Sequence, residues 1–308
     1  MTTESWPRLS LAEGQDTYDT LHMLTQIVGK LVLATTPLSN HWWNVAFRLT
    51  ARGFETQPMT SQGHVFTAAF DLVGHELVFT CSDGRRAAIA LEPRTVADSY
   101  ALIMKTLRGI GIDIHVWTMP VEYENPIAFE KDTTHHSYDA KWANALWRAM
   151  TSMQPVFEAF RCGFVGKCSP VHFFWGSFDL ACTRFSGHRA PAMPQANPVD
   201  REAYSHEVIS HGFWPGGGAM KEPAFYAYAK PEPEGFRAAR VEPAAAFYSN
   251  DFNIFVLPYE AVRTASSPEA ALMLFLKTTY RQAADLARWN RPELERSDVE
   301  AHQEKRSG

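Results

Sequence analysis

The sequence predicts an α+β fold made of an internally duplicated unit of helix, antiparallel strands and helix. Two segments, His41–Leu49 and His172–Leu180, share one pattern: His, two aromatic residues, three residues, Phe, one residue and Leu. A Val-Gly-Lys sequence precedes each segment, and a strand-like block follows it. Short turns join the strands, whereas parallel neighbours need a long crossover. We therefore expect antiparallel sheets with helices packed on one side and a pseudo-two-fold axis between the repeats.

The first half is predicted to hold two helices around a run of strands. Apolar residues recur at helical spacing over residues 16–28, and Gly29 followed by Lys30 predicts that the first helix ends there. Thr95, with Asp98 three residues later, predicts the start of the second helix. Apolar runs bounded by turn residues predict strands at 41–51, 64–72, 76–81, 86–91 and 112–117.

The second half is predicted to repeat this order with longer loops. Residues 120–138 contain prolines and charges and end in His135-His136, which is typical of a linker. A long apolar helix is expected at 139–160, a loop at 187–203, and a last helix that begins at Ser267-Pro268. Strands are expected at 171–184, 205–213, 224–229, 244–249 and 253–257.

The length of 308 residues agrees with two units of about 150 residues each. We predict a first α+β repeat at 1–119, a linker at 120–138, a second repeat with inserted loops at 139–290, and a polar tail at 291–308.

Composition argues against several classes of protein. A net charge of −5 and a pI near 6.2 disfavour nucleic-acid binding. Neither a signal peptide nor a run of about 18 apolar residues is visible, so we predict no membrane partner. The four cysteines include no Cys-x-x-Cys pair, which favours a cytoplasmic location.

Alternation along the predicted strands places aromatic and polar side chains together on one face, a composition typical of ligand pockets. The duplication aligns Arg48 with Asp179, so the two could grip a polar ligand across the pseudo-axis. An ordinary solvent-facing sheet remains the alternative. The predicted ligand-binding residues are Arg48, Trp175, Ser177 and Trp214.

The predicted catalytic candidates are His172, Asp179, His206 and Glu207, although each His can equally be a structural residue. His206-Glu207 followed by His211 does not have the zincin spacing, because the two His lie five residues apart and point to opposite faces of a strand. We predict no metal site, while a looser combination of His and carboxylate stays an alternative. No cofactor can be named.

Several segments resemble an uncharacterised bacterial family, domain of unknown function 5996. The longest is Gly166–Leu180, and the others are Thr20–Met23 with Gln26–Lys30, Asn40–Trp43, Tyr204–Glu207, Gly212–Gly217 and Ala246–Ser249. The resemblance covers nearly the whole chain. It implies a bacterial protein and supplies no activity and no catalytic residue.

Three functions remain open. The first is a cytoplasmic protein that binds or converts a small molecule in a pocket between the repeats. The second is a protein–protein interaction module, with a homodimer as one form, whose aromatic face is the interface. The third is a metal-dependent hydrolase. Whether the protein is an enzyme is not decided by the sequence.

Overall fold

Periodic apolar segments form seven α-helices and two antiparallel sheets, an α+β fold, within the computed structural model, which describes residues 5–296. The helices are α1 (Leu11–Thr35), α2 (Val96–Gly109), α3 (Ala140–Cys162), α4 (Pro198–Ala203), α5 (Tyr259–Arg263), α6 (Pro268–Leu286) and α7 (Arg291–Leu294). The strands are β1 (Arg48–Thr50), β2 (Gly53–Glu55), β3 (Met59–Ser61), β4 (His64–Asp71), β5 (Glu76–Cys81), β6 (Arg86–Ala90), β7 (His172–Phe174), β8 (Asp179–Arg189), β9 (His206–Trp214), β10 (Ala224–Lys230), β11 (Phe247–Ser249) and β12 (Ile254–Pro258).

The chain divides into two compact units, and neither is continuous in sequence. The first unit comprises Met1–Thr151, His172–Leu180 and Pro215–Pro223. The second comprises Ser152–Val171, Ala181–Trp214 and Ala224–Gly308. The internal duplication and the repeat boundaries at 119 and 139 stay predictions.

In the first unit, β1 to β6 form an antiparallel sheet in the order β1-β2-β4-β5-β6, with β3 also paired to β4. Alternation along β4 buries Phe66, Ala68 and Phe70, as expected for a strand with one face in the core. The segment His172–Leu180 contributes to the same core. Its Phe173 exchanges backbone hydrogen bonds of 2.8 and 2.9 Å with Phe47.

In the second unit, the strands follow the order β11-β12-β10-β9-β8. The central pair, β9 and β10, is in register over seven residues, from Ala224 opposite Trp214 to Lys230 opposite Val208. The helix α6 buries the side chains of Leu272, Phe275 and Leu276.

Helix starts are the best-predicted local features. The side-chain oxygen of Thr95 accepts a hydrogen bond of 3.0 Å from the amide of Asp98, and that of Ser267 accepts one of 3.3 Å from Ala270. Capping residues, and a proline at the first helical position, act on backbone groups within three residues. Tertiary packing therefore leaves their effect on the helix start unchanged.

Four predicted helix or strand assignments are wrong. The helix α1 does not end at residue 28 but continues through Gly29 to Thr35. Residues 112–117 form no strand, and the predicted strand 41–51 begins only at Arg48, after a short 3-10 helix at Asn40–Trp42. The predicted strand 171–184 is interrupted by a turn, in which Phe178 has φ of 59°.

Within residues 5–296, no helix is both long enough and apolar enough to cross a membrane.

Candidate functional site

The largely buried helix α1 carries a stripe of long polar side chains along one face. The members follow one another at intervals of three or four residues, so they share one face: Gln15, Asp19, His22, Gln26 and Lys30. Three of them, His22, Gln26 and Lys30, are buried. Because buried polar groups are costly unless they are paired, their partners show what this face is for.

The segment predicted as a linker lies along this stripe. The side chain of Gln26 pairs with the backbone of Val121: Nε2 donates to the carbonyl at 2.6 Å, and Oε1 accepts from the amide at 3.0 Å. One turn earlier in α1, the ring of His22 lies 5.5 Å from that of Tyr123. The segment therefore forms a wall beside α1 instead of a free connection.

Within this wall, Asp132, His135 and Tyr123 form a hydrogen-bonded chain. The Nδ1–H group of His135 donates to Oδ2 of Asp132 at 2.7 Å. The carboxylate is fully buried, and its Oδ1 accepts from the amides of Thr134 and His135 at 3.0 and 3.1 Å. With Nδ1 protonated, Nε2 of neutral His135 accepts from the hydroxyl of Tyr123 at 3.0 Å.

This chain can move a proton in either direction. Burial, together with the charges of Asp19 and Asp132, raises the pKa of Tyr123 to about 12, so its phenol stays protonated near neutral pH. The buried carboxylate accepts from Nδ1 of His135 and fixes the tautomer of the ring, as the acid does in an Asp-His pair. Neutral His135 can draw a proton from Tyr123, and protonated His135 can return one.

His22 lies next to this chain as a neutral imidazole. Its Nε2–H group donates to the carbonyl of Gly176 at 2.9 Å, and its ring stacks on that of Phe178 with centroids 4.8 Å apart. Burial lowers the pKa of His22 to about 4, although the bond to Gly176 opposes that shift. The imidazole of His22 thus stays uncharged at physiological pH beside Tyr123.

The N-terminal end of the stripe is acidic and lies against a glycine loop. Burial raises the pKa of Asp19, and a bond of 2.7 Å from Nε2 of Gln15 partly counters this. A Cβ atom at Gly217 would lie 3.1 Å from Nε2 of Gln15, and the φ of Gly217 is 125°. Only glycine suits this position, because the loop backbone approaches the helix closely in a left-handed conformation.

The other end of the stripe is a buried amine. The Nζ atom of Lys30 has no hydrogen-bond partner among residues 5–296 and lies 4.3 Å from the ring centroid of Trp117. Burial lowers the pKa of Lys30 to about 8. The stripe therefore runs from a carboxyl group of raised pKa at Asp19 to an amine of lowered pKa at Lys30.

Five of the residues predicted from sequence lie in the first unit, and the structure brings two of them together. The hydroxyl of Ser177 donates to Oδ1 of the buried Asp179 at 2.6 Å. Trp175 is buried and donates from Nε1 to the carbonyl of Val45 at 2.9 Å. Arg48 is exposed on β1, and His172 is buried with its ring edge-on to Phe174.

The other three lie in the second unit on β9. His206 contacts the hydroxyl of Ser205 at 3.2 Å, and Glu207 accepts from Ser186 at 2.8 Å. Burial, followed by the positive charges of Lys167 and Arg189, lowers the pKa of His206. Trp214 is half-buried at the end of the strand. None of these contacts tests a catalytic role, so the predicted site residues stay predictions.

Over the described range 5–296, no group of three or more His, Cys, Asp or Glu side chains has the arrangement to hold a metal ion.

One family model matches nearly all of the residues that the structure describes. A family model described as "Family of unknown function (DUF5996)" matches residues 6–296. The chain belongs to DUF5996. Neither a curated protein nor a solved structure matches it. The segments that carry the resemblance to DUF5996 supply many members of the site: His22, Gln26, Gly176, Phe178 and Gly217.

Sequence reasoning missed Tyr123, Asp132 and His135, because they lie in a segment whose prolines and charges indicate a linker. The signal that could have found the site is in α1. Long polar residues at intervals of three and four along a helix that also carries many apolar residues predict a polar partner for that face. Finding the partner itself requires the tertiary structure.

Proposed function

We propose that this DUF5996 protein is an enzyme that converts a small polar molecule by proton transfer through Tyr123, His135 and Asp132. The observation that carries the proposal is the hydrogen-bonded chain of those three side chains beside the neutral His22. A buried carboxylate, an oriented imidazole and a protonated phenol are the parts of a general acid–base system.

The phenol of Tyr123 is the group that meets the substrate in this proposal. It is half-buried, as is His135, whereas Asp132 is fully buried, so the Asp132 end of the chain is closed to solvent. A substrate hydroxyl can give its proton to the phenol oxygen while the phenol gives its own to His135. With His135 protonated, the same steps in reverse protonate a substrate oxygen.

The surroundings favour a small polar substrate. The partly buried Asp19, the neutral His22 and the buried Lys30 supply an acceptor, an uncharged ring and an amine along one helix face. Perturbed titratable groups gathered in one place are typical of functional sites. A cytoplasmic setting is part of the proposal and is supported by four cysteines that all carry free thiols.

The alternatives receive less support. An interaction module would need exposed aromatic side chains on the strand face that carries Trp42, Phe173 and Trp175, and Phe173 and Trp175 are buried while Trp42 is half-buried. A metal-dependent hydrolase would need a cluster of ligands, and residues 5–296 hold no group of three.

The test compares metabolite turnover by the wild type, Tyr123→Phe and His135→Gln. A soluble metabolite extract is incubated with each protein, and untargeted mass spectrometry follows the species consumed and formed. We expect the wild type to convert at least one metabolite, and each substitution to slow that conversion by about 100- to 10,000-fold, the usual effect of losing a general acid or base.

Tyr138→Phe is the matched control, since the Tyr138 hydroxyl also meets an imidazole, Nδ1 of His75 at 2.9 Å, but within residues 5–296 no hydrogen bond joins that imidazole to a carboxylate. This variant should keep wild-type turnover. Equal activities for Tyr123→Phe and Tyr138→Phe would contradict the proposal, and so would a wild type that converts nothing.

A further inference from the structure

A second feature suited to a ligand lies wholly in the second unit. A cleft of about 530 Å³ opens between the end of β10, the loop after β8, the junction of α4 with β9 at Tyr204, and the turn before β12. That volume falls within the range of about 300–1,000 Å³ typical of small-molecule sites. Its aromatic and charged lining includes Tyr204, Tyr228, Lys230, Glu232, Arg237 and Phe252.

Aromatic rings supply much of the lining. The hydroxyl oxygens of Tyr204 and Tyr228 lie 3.1 Å apart, and their rings meet edge to face at 6.2 Å. The ring of Tyr226, which is not part of the lining, stacks on the ring of Tyr228 with centroids 5.9 Å apart and supports it. Rings held in this way offer a planar ligand rigid apolar surface with little side-chain entropy to lose.

The charge of the cleft is set by Lys230. Its Nζ atom lies 3.8 Å from the ring centroid of Tyr204, and it forms no ion pair within residues 5–296. The carboxylate that shares the cleft, Glu232, is already engaged: Nε of Arg237 lies 2.6 Å from one oxygen, and the hydroxyl of Tyr248 donates to the other at 2.5 Å.

The lining therefore carries two positive side chains and one negative one, a net charge of +1. Arg237 and Glu232 neutralise each other, so the ammonium of Lys230 is the charge left for a ligand. Its position over an aromatic ring places that charge beside the apolar walls.

We propose that this cleft binds a small aromatic anion. The ligand ring packs between Tyr204, Tyr228 and Phe252, and its acidic group accepts hydrogen bonds from Lys230. The site is independent of the proton-transfer chain of the first unit, and either proposal can fail without the other.

Isothermal titration calorimetry on the full-length protein tests the cleft with defined probes. The anions are indole-3-acetate and phenyl phosphate; indole-3-acetamide is the neutral isostere and cyclohexaneacetate the anion without an aromatic ring. We expect at least one of the two aromatic anions to bind, and the anion that binds more tightly identifies the preferred acidic group. Both comparison compounds should bind at least about tenfold more weakly.

Lys230→Met should weaken binding of the aromatic anion by about tenfold or more, with Lys230→Arg retaining a larger part of the affinity. Phe252→Leu should also weaken it. Lys277→Met, which removes an exposed lysine from α6 of the same unit, is the matched control and should bind as the wild type does. Thermal unfolding of each variant checks that it folds.

The proposal is overturned if neither anion binds, or if indole-3-acetamide binds as well as indole-3-acetate while phenyl phosphate does not bind. It is also overturned if folded Lys230→Met binds as tightly as Lys277→Met.

Discussion

At the scale of single residues, Lys30 shows how burial of one amine couples stability to pH. Its pKa is lowered to about 8 from an ordinary value of 10.5. Between these values the unfolded chain binds more protons than the folded one, so the free energy of unfolding rises with pH. Below the lower value, the folded protein bears the full cost of a buried charge that has no hydrogen-bond partner among residues 5–296.

We therefore predict that Lys30→Met is more stable than the wild type by about 1–3 kcal/mol near neutral pH. The difference should shrink as the pH rises from about 8 toward about 10, where the wild-type amine is deprotonated in the folded state. Urea unfolding of both proteins across this range measures it. Lys105→Met, at an exposed position of α2, should show no pH-dependent difference from the wild type. A stability difference for Lys30→Met that does not vary with pH would refute the buried charge as its cause.

The sequence could predict some residues of interest but not the proton-transfer chain. Alternation along a predicted strand placed Ser177 and Asp179 on one face, and the two side chains do form a hydrogen bond. They do so across a turn, which the alternation did not predict. The alternation of side chains is interrupted there because the backbone of Phe178 adopts a left-handed conformation. Tyr123 and His135 lie twelve residues apart in an irregular segment. No periodicity relates such residues, and only packing along α1 brings them together.

At the scale of elements, Gly29 illustrates how one residue can be interpreted in two ways. Gly followed by Lys is typical of a helix end, yet α1 continues for six residues beyond Gly29, to Thr35. The glycine is needed for a different reason. A Cβ atom at this position would overlap the ring of Trp175, which is itself held by its bond to the carbonyl of Val45.

Gly29→Ala should consequently destabilise the protein by about 1–3 kcal/mol, despite the better helix propensity of alanine, because a rigid indole cannot yield without losing its hydrogen bond. Denaturant unfolding measures the loss. Gly109→Ala is the matched control: that glycine is also helical and has open space around its Cβ position, so alanine should be neutral or stabilising by up to about 1 kcal/mol.

The same contact predicts non-additivity. Combined with Trp175→Phe, which shortens the ring system, Gly29→Ala should cost less than it does alone, since the two positions touch. Additive effects across this double-mutant cycle, or a Gly29→Ala protein as stable as Gly109→Ala, would exclude the close approach as the reason for glycine.

Element prediction succeeded where the signal is local. The start of α2 at Thr95 and that of α6 at Ser267 depend on hydrogen bonds within three residues, so tertiary packing leaves them intact. The strand predicted at 112–117 failed for the opposite reason. Its alternation of buried and exposed residues is real in Ile112, Ile114 and Val116, but no neighbouring strand pairs with it within the described residues.

At the scale of the whole molecule, the first unit depends on residues far along the chain. The segment His172–Leu180 belongs to that unit and places three aromatic side chains in its core, with exposed fractions of 0% for Phe173, 4% for Trp175 and 3% for Phe178. Phe173 stacks on Phe54 at 4.5 Å, and Phe178 stacks on His22 at 4.8 Å. The predicted division into consecutive repeats assigned His172–Leu180 to the second repeat and did not include its place in the core of the first unit.

A fragment of residues 1–151 should therefore fail to fold cooperatively. Each missing aromatic residue buries about 150–250 Å², worth about 4–6 kcal/mol at about 25 cal/mol per Å² as an upper bound. Three such losses amount to about 12–18 kcal/mol as an upper bound, which matches or exceeds the total stability of about 5–15 kcal/mol of a typical domain. Near-ultraviolet circular dichroism and urea unfolding of the fragment, beside the full-length chain, measure this. We expect weak tertiary signals and a broad transition. A sharp, two-state transition in the fragment would mean that its core closes without Phe173, Trp175 and Phe178, and that residues 1–151 fold autonomously.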